Sequence, residues 1–161
     1  MRILVLAIAV LAGCAERPEA PAVHVITLDG SDVLPVYVQG AAAWSPLGLD
    51  ASTESSGLPE CGLSWYVFGE LQCEITIGIR RDPLLRESRG TNALSSRPER
   101  TITIDSDLTD PYALEIAIAH EAGHILLDTA EHTRGGIMGG ASLSMADVDR
   151  ELACRAIQIC I

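Results

Sequence analysis

DPYALEIAIAHEAGHILLD, running from Asp110 to Asp128, is the stretch that decides how this chain folds. Asp110 suits an N-cap and Pro111 the first helical position, so a helix begins here with both of its start signals in place. Leu114, Ile118, Ala122 and Ile125 form one apolar stripe, and Ile116, Leu126 and Leu127 add apolar surface around the barrel, so most of the helix is expected to be buried. His120 and His124, four residues apart, lie on one face about 6 Å apart along the axis, close enough for both imidazoles to reach a single metal ion. Glu121 points nearby but off that ion. Two histidines and a glutamate inside such a helix are costly without partners, and a metal with its water satisfies all three.

The pattern is H-E-x-x-H, in which two histidines hold zinc and the glutamate serves as general base toward the water that the metal activates. An ordinary core helix with hydrogen-bonded histidines is the plainer explanation. Chance, however, produces the pattern in a chain of this length only on the order of once in a few hundred. Three of the chain's four histidines also fall within the thirteen residues from His120 to His132. Zinc is therefore the expected cofactor, with His120 and His124 as ligands and Glu121 as the catalytic base.

A catalytic zinc needs a third protein ligand and an open fourth position. The run that follows, DTAEHTRGGIMGG from Asp128 to Gly140, resembles the metzincin metalloproteases, and their matrixin-like branch in particular. In that family a glycine turn, a third histidine and a tight turn with a methionine beneath the metal follow the helix. The family pattern would put glycine at Leu127 and histidine at Ala130, and this chain has neither. It offers His132, two residues late, and Ile137-Met138-Gly139 where the family has its methionine turn. The reading is a slightly long helix, with Asp128, which tolerates left-handed backbone, in place of the turn glycine and His132 as third ligand. Asp128 itself is the rival ligand. Asp147 or Glu151 would serve in a thermolysin-like arrangement, which the small size and the Ile-Met-Gly turn argue against. Glu131 would lie about 16 Å beyond His120 on a continued helix, too far to share its metal. Met138 takes a structural role beneath the ion, although a plain core methionine would look the same in sequence.

The resemblance implies an α+β fold of zincin or metzincin type: a twisted, mostly parallel β-sheet backed by helices, with a zinc-binding active helix and a C-terminal helix. It spans most of residues 23–160, and only the zinc region is specific. AAAWS over residues 41–45 looks like part of the first long helix of such domains, and Val33, Tyr37, Ala41 and Trp44 recur at helical spacing until Pro46 ends the pattern. Trp44 is expected to fill the core rather than stack on a substrate. LSMAD, from Leu143 to Asp147, resembles the start of the family's closing helix, with Ser144 and Asp147 as a capping box. Met145, Val148, Leu152, Ala156 and Ile159 then form its packing stripe.

The amino terminus reads as an address. Arg2, an apolar run from Ile3 to Ala12 and then Leu11-Ala12-Gly13-Cys14 resemble a bacterial lipoprotein signal with its lipobox. The run is too short for a transmembrane helix, which needs about twenty apolar residues. The expected organisation is a signal peptide over 1–13, a lipidated tether over 14–22 beginning at Cys14, and one catalytic domain over 23–161. By the resemblance the lipid on Cys14 anchors the protein to a membrane of the bacterial cell envelope, and Ala15 favours the outer one. A chain of 161 residues leaves room for one core and not two. With 22 acidic against 11 basic residues, a net charge of −11 argues against a nucleic-acid partner. Every basic residue is arginine, which carries no mechanism.

Cys61, Cys73, Cys154 and Cys160 remain after Cys14, and an even count in an exported domain suggests two disulfides. Cys61 and Cys73 could close a hairpin. Cys154 and Cys160 cannot bridge within one regular helix, so either the last helix ends before Cys160 or the pairs cross. Strands are expected over residues 23–28, 63–68 and 74–80, the last with Ile75, Ile77 and Ile79 alternating. His24 fits a partly exposed strand position. Residues 81–99 read as a long polar loop. Residues 100–105 read as a short strand which, by the resemblance, would be the edge strand that pairs with a substrate backbone; an ordinary covered strand is equally consistent. Asp105, Asp107 and Asp110 read as a solvated acidic turn, lacking a calcium-loop signature.

The expected function is that of a lipid-anchored, monomeric zinc endopeptidase acting on peptide or protein substrates. The alternatives are a non-catalytic, metal-binding envelope lipoprotein acting as a binding module, and zinc hydrolysis of a non-peptide bond.

Overall fold

The computed structural model describes residues 21–62, 66 and 72–160. The signal peptide and Cys14, the tether up to residue 20 and, Tyr66 apart, the strand expected over 63–68 lie outside the described residues.

Alternating β-branched residues build a single sheet of five strands: β1 (Ala22–Thr27), β2 (Ala51–Ser52), β3 (Glu74–Asp82), β4 (Ala93–Ser96) and β5 (Thr101–Asp105). Their order is β2-β1-β3-β5-β4, with every neighbouring pair parallel except β4, which joins β5 antiparallel. Val23 and Val25, Ile75, Ile77 and Ile79, and Ile102 and Ile104 are all buried on one face, in one core with Leu114, Ile118, Ala122 and Leu126 of the helix layer. The architecture is thus α+β with a mostly parallel sheet.

Among the described residues, where Tyr66 is itself helical rather than in a strand, the bounded helices are α1 (Pro35–Ala42), α2 (Leu85–Arg89), α3 (Pro111–Leu126) and α4 (Asp147–Ile157), with a 3-10 turn at Ser45–Leu47. Helix α1 starts at Pro35 rather than Val33, because the residue before a proline is pushed out of helical backbone, and Leu34 is extended. It packs on α3 at Gly40, where a Cβ would meet the Glu115 carbonyl oxygen and Ile118 Cβ at 2.8 Å. Only glycine lets the two backbones come this close. Trp44 is fully buried and donates its indole N–H to the Ala119 carbonyl at 2.8 Å, so it packs α1 onto α3.

Four sequence expectations are corrected. The stretch 81–99 is not a featureless loop: β3 continues to Asp82, and α2 and β4 follow. The β4 residues Ala-Leu-Ser-Ser show no strand pattern, and they become a strand because β5 offers them a ladder. In consequence β5 lies inside the sheet between β3 and β4, and β4 is the edge. Asp105 is not solvated; it is 2% exposed and accepts the backbone N–H groups of Arg86 and Asp107. Helix α4 begins three residues after Ser144, with Ala146 at its N-cap, and Asp149 rather than Asp147 reaches back to the Ala146 N–H at 2.9 Å. That shift turns the helix, so Val148 is 39% exposed while Leu152, Ala153 and Ile157 form the inner face.

Cys61 bonds to Cys73 and Cys154 to Cys160. Of the two possibilities for the second pair, the helix ends first: α4 stops at Ile157, and left-handed Gln158 (φ 60°) turns the chain back. His24 sits on β1 beside Glu74, with Nδ1 3.5 Å from the carboxylate.

Candidate metal centre

Helix α3 forms where the sequence places it. Asp110 caps it by accepting the Ala113 N–H at 2.8 Å, and Pro111 occupies the first turn. At the far end Leu127 closes the helix and Asp128 turns left-handed, with φ 44°. Asp128 therefore takes the conformation that glycine would otherwise supply. The chain then doubles back and brings His132 to the pair on the helix.

The three imidazoles meet. Ring centroids lie 4.8 Å apart for His120 and His124, 5.0 Å for His120 and His132, and 4.9 Å for His124 and His132. Their candidate donor atoms all fall within 4.8 Å of one another, and no other group of three or more such side chains exists among the described residues.

Hydrogen bonds fix what each nitrogen on α3 does. His120 Nδ1 lies 3.1 Å from the Ile137 carbonyl and His124 Nδ1 lies 2.8 Å from the Thr129 carbonyl. A carbonyl only accepts, so both Nδ1 atoms carry the hydrogen and both Nε2 atoms present lone pairs. Those two Nε2 atoms face each other at 3.2 Å. Two lone pairs at that distance repel unless a cation lies between them. Two nitrogens about 2.0–2.1 Å from a tetrahedral zinc are about 3.3 Å apart, so the pair fits. His124 is 8% exposed, and its pKa lies below the ordinary imidazole value. Burial is the chief cause, the neighbouring His120 and His132 add to it, and the Thr129 carbonyl and Glu121 oppose it. A depressed pKa keeps the ring neutral and able to ligate.

The floor beneath the histidines is the turn from Gly135 to Gly140. Met138 is buried with its sulfur against α3 at Gly123, where any Cβ would overlap Met138 Sδ and the Trp44 ring. The glycine of HEAGH is therefore required by this contact. Gly136 has φ 66°, and a Cβ there would collide with the Asp149 carboxylate. Asp149 is 0% exposed and was missed in the sequence. It accepts the N–H of Ile137 at 2.9 Å, the N–H of Met138 at 3.1 Å and the Thr133 hydroxyl at 3.0 Å, besides the Ala146 N–H. By holding Ile137 it holds the carbonyl that orients His120. An acid three residues into a helix is the available signal, but Ser144 offers an earlier cap that points to Asp147 instead.

Glu121, next to His120, accepts a 2.5 Å hydrogen bond from the Ser95 hydroxyl on β4. The other carboxylates considered as ligands lie outside the histidine group. Asp128 is paired with Arg97 at 3.4 Å, Glu131 with Arg155 at 3.2 Å, and the Asp147 side chain is 97% exposed beside Arg150. Glu151 is exposed on α4.

No model of a known protein family matches this chain, and no curated protein or solved structure matches it either.

Proposed function

We propose that the chain is a zinc-dependent endopeptidase of metzincin-like design, with zinc held by His120, His124 and His132 and Glu121 as its general base. The observation that carries this reading is the pair of Nε2 lone pairs 3.2 Å apart, with a third imidazole closing the group and a carboxylate on the adjacent residue. Bound there, zinc supplies a Lewis acid for the scissile carbonyl and makes water a competent nucleophile near neutral pH.

The chain's own residues do the rest. Glu121 takes the proton of the attacking water and returns it to the leaving amine. Met138 and the turn pinned by Asp149 hold His120 in the tautomer that ligates. The edge of the sheet beside Glu121 is β4, and an open edge accepts an extended peptide by main-chain hydrogen bonds, which favours peptides as the substrate class. Attachment through a lipid on Cys14 belongs to the same proposal and rests on the sequence around that residue. Among the described residues no helix is long and apolar enough to cross a membrane.

Metal analysis of the purified protein and cleavage of casein or a peptide library, for wild type and Glu121→Gln, test the reading. One zinc per chain in both proteins is expected, with a rate at least about 100-fold lower in the variant, the low end for loss of a general base. Equal rates would remove Glu121 from the mechanism. Stoichiometric zinc without turnover would leave a metal-binding module, and protein that takes up no zinc would end both readings.

A further inference from the structure

We infer that Ser95 is a positioning residue for Glu121, holding the base from the edge strand of the sheet; the inference rests on the peptidase reading. Register dictates where Ser95 points. It lies opposite Ile102 on β5, a fully buried residue of the helix-facing core, so its hydroxyl is turned toward α3. A serine at such an inward position needs a partner.

Most other described serine hydroxyls bond close by in sequence, although Ser55 also donates to Glu74 Oε1, 19 residues away, at 2.9 Å. Those of Ser31, Ser52, Ser55 and Ser142 have partners two residues away, and Ser88 bonds the carbonyl three residues back. Ser95 instead reaches 26 residues along the chain to Glu121 Oε2. Two residues on, in the turn that follows β4, Arg97 donates to the carbonyl of Asp128 at 3.0 Å and to its carboxylate at 3.4 Å. Strand and helix are thus tied beside Glu121, and the turns that follow each of them are tied by Arg97 and Asp128. The hydroxyl is fixed by the sheet and not by a loop.

A glutamate on a helix surface has several rotamers, and freezing such a side chain costs conformational entropy. A general base must be held close to its working position for proton transfer to be fast. The Ser95 bond occupies Oε2, and among the described residues no hydrogen bond involves Oε1. Oε1 is left to accept a proton from water. The strand that, among the described residues, has no partner on its outer side therefore also sets the base.

The test uses the full zinc-loaded protein as wild type, Ser95→Ala, Ser95→Thr and Glu121→Gln. It reads kcat and KM on a peptide substrate, the affinity for acetohydroxamate by titration calorimetry, and zinc affinity by chelator competition. Acetohydroxamate binds the metal and passes its proton to the neighbouring carboxylate, so its affinity reports the position of Glu121 without turnover. Ser95→Ala is expected to lower kcat about tenfold with KM within about twofold, to weaken acetohydroxamate about tenfold and to leave zinc affinity unchanged. Ser95→Thr, which keeps the hydroxyl, is expected to restore both within about threefold. Wild-type kcat in Ser95→Ala alongside an inactive Glu121→Gln overturns the role of Ser95 and leaves the peptidase reading standing. If wild type cleaves no peptide, the peptidase reading falls, and acetohydroxamate decides alone: equal affinity in Ser95→Ala, or equal loss in Ser95→Thr, overturns the inference.

Discussion

Replacing Asp149 by alanine should loosen the floor of the metal site and much of the fold with it. The side chain is fully buried and accepts four hydrogen bonds, three from backbone N–H groups of Ile137, Met138 and Ala146 and one from Thr133. A buried donor left bare costs about 1–3 kcal/mol. Gly135 and Gly139 are exposed on the same turn, so water can reach part of the gap, and the low end is the fair figure for each donor. The Thr133 hydroxyl keeps the Gly135 carbonyl, 2.6 Å away, as acceptor, so the three backbone donors give about 3 kcal/mol, a large share of the 5–15 kcal/mol that holds a domain together. For a domain of this size that lowers Tm by roughly 6–12 °C. Asp149→Asn keeps one oxygen and turns an amide NH2 toward two of the donors, so about half the loss is expected. Urea denaturation of zinc-free protein measures both variants without the metal's contribution. Zinc affinity should fall about 10–100-fold with Asp149→Ala, because the Ile137 carbonyl that orients His120 moves. A variant within about 1 kcal/mol of wild type with undiminished zinc affinity would refute this account, since typical surface substitutions change stability by less than that.

Gly123→Ala is expected to destabilise by about 1 kcal/mol, although the same change in an open helix stabilises by a similar amount. Overlap with Met138 and Trp44 outweighs propensity at this site, and a rise in Tm would contradict the packing described. Zinc-free protein should lose stability as pH falls below about 6.5. The buried His124 has a lowered pKa, so between that value and the ordinary one the unfolded chain binds more protons, and stability rises with pH. The loss levels off below the folded value. Urea midpoints at several pH values for wild type and His124→Gln check this, and an identical pH dependence in the two would exclude His124 as its source.

The parts of the structure that were legible in the sequence are those in which local chemistry and tertiary context agree. Asp110 and Pro111 mark the start of α3, and the isoleucines of β3 alternate as a half-buried strand must. Asp128 could be read as a left-handed turn because few side chains besides glycine tolerate one, and that placed His132 beside the helix pair. Strand β4 was illegible for the opposite reason. Ala-Leu-Ser-Ser carries neither alternation nor β-branching, and only the ladder from β5 makes it extended, so the sequence leaves open whether β5 is an edge or a covered strand, and the structure shows it covered. Asp149 was hidden among Asp147, Asp149 and Glu151, three acids in five residues. Which of them is buried depends on the rotation of α4, and a cap placed two residues early rotates the wrong acid inward.

A sheet that ends in an unfilled ladder has a hazard of its own, because backbone groups on β4 cannot tell a foreign peptide from the matching strand of a neighbouring copy. The protein limits that hazard by shape and charge. The strand is only four residues long, Pro98 follows it closely and offers no N–H with which to extend the pairing, and copies carrying a net charge of −11 repel one another. High ionic strength screens the last of these defences, leaving brevity and the proline to keep such molecules apart.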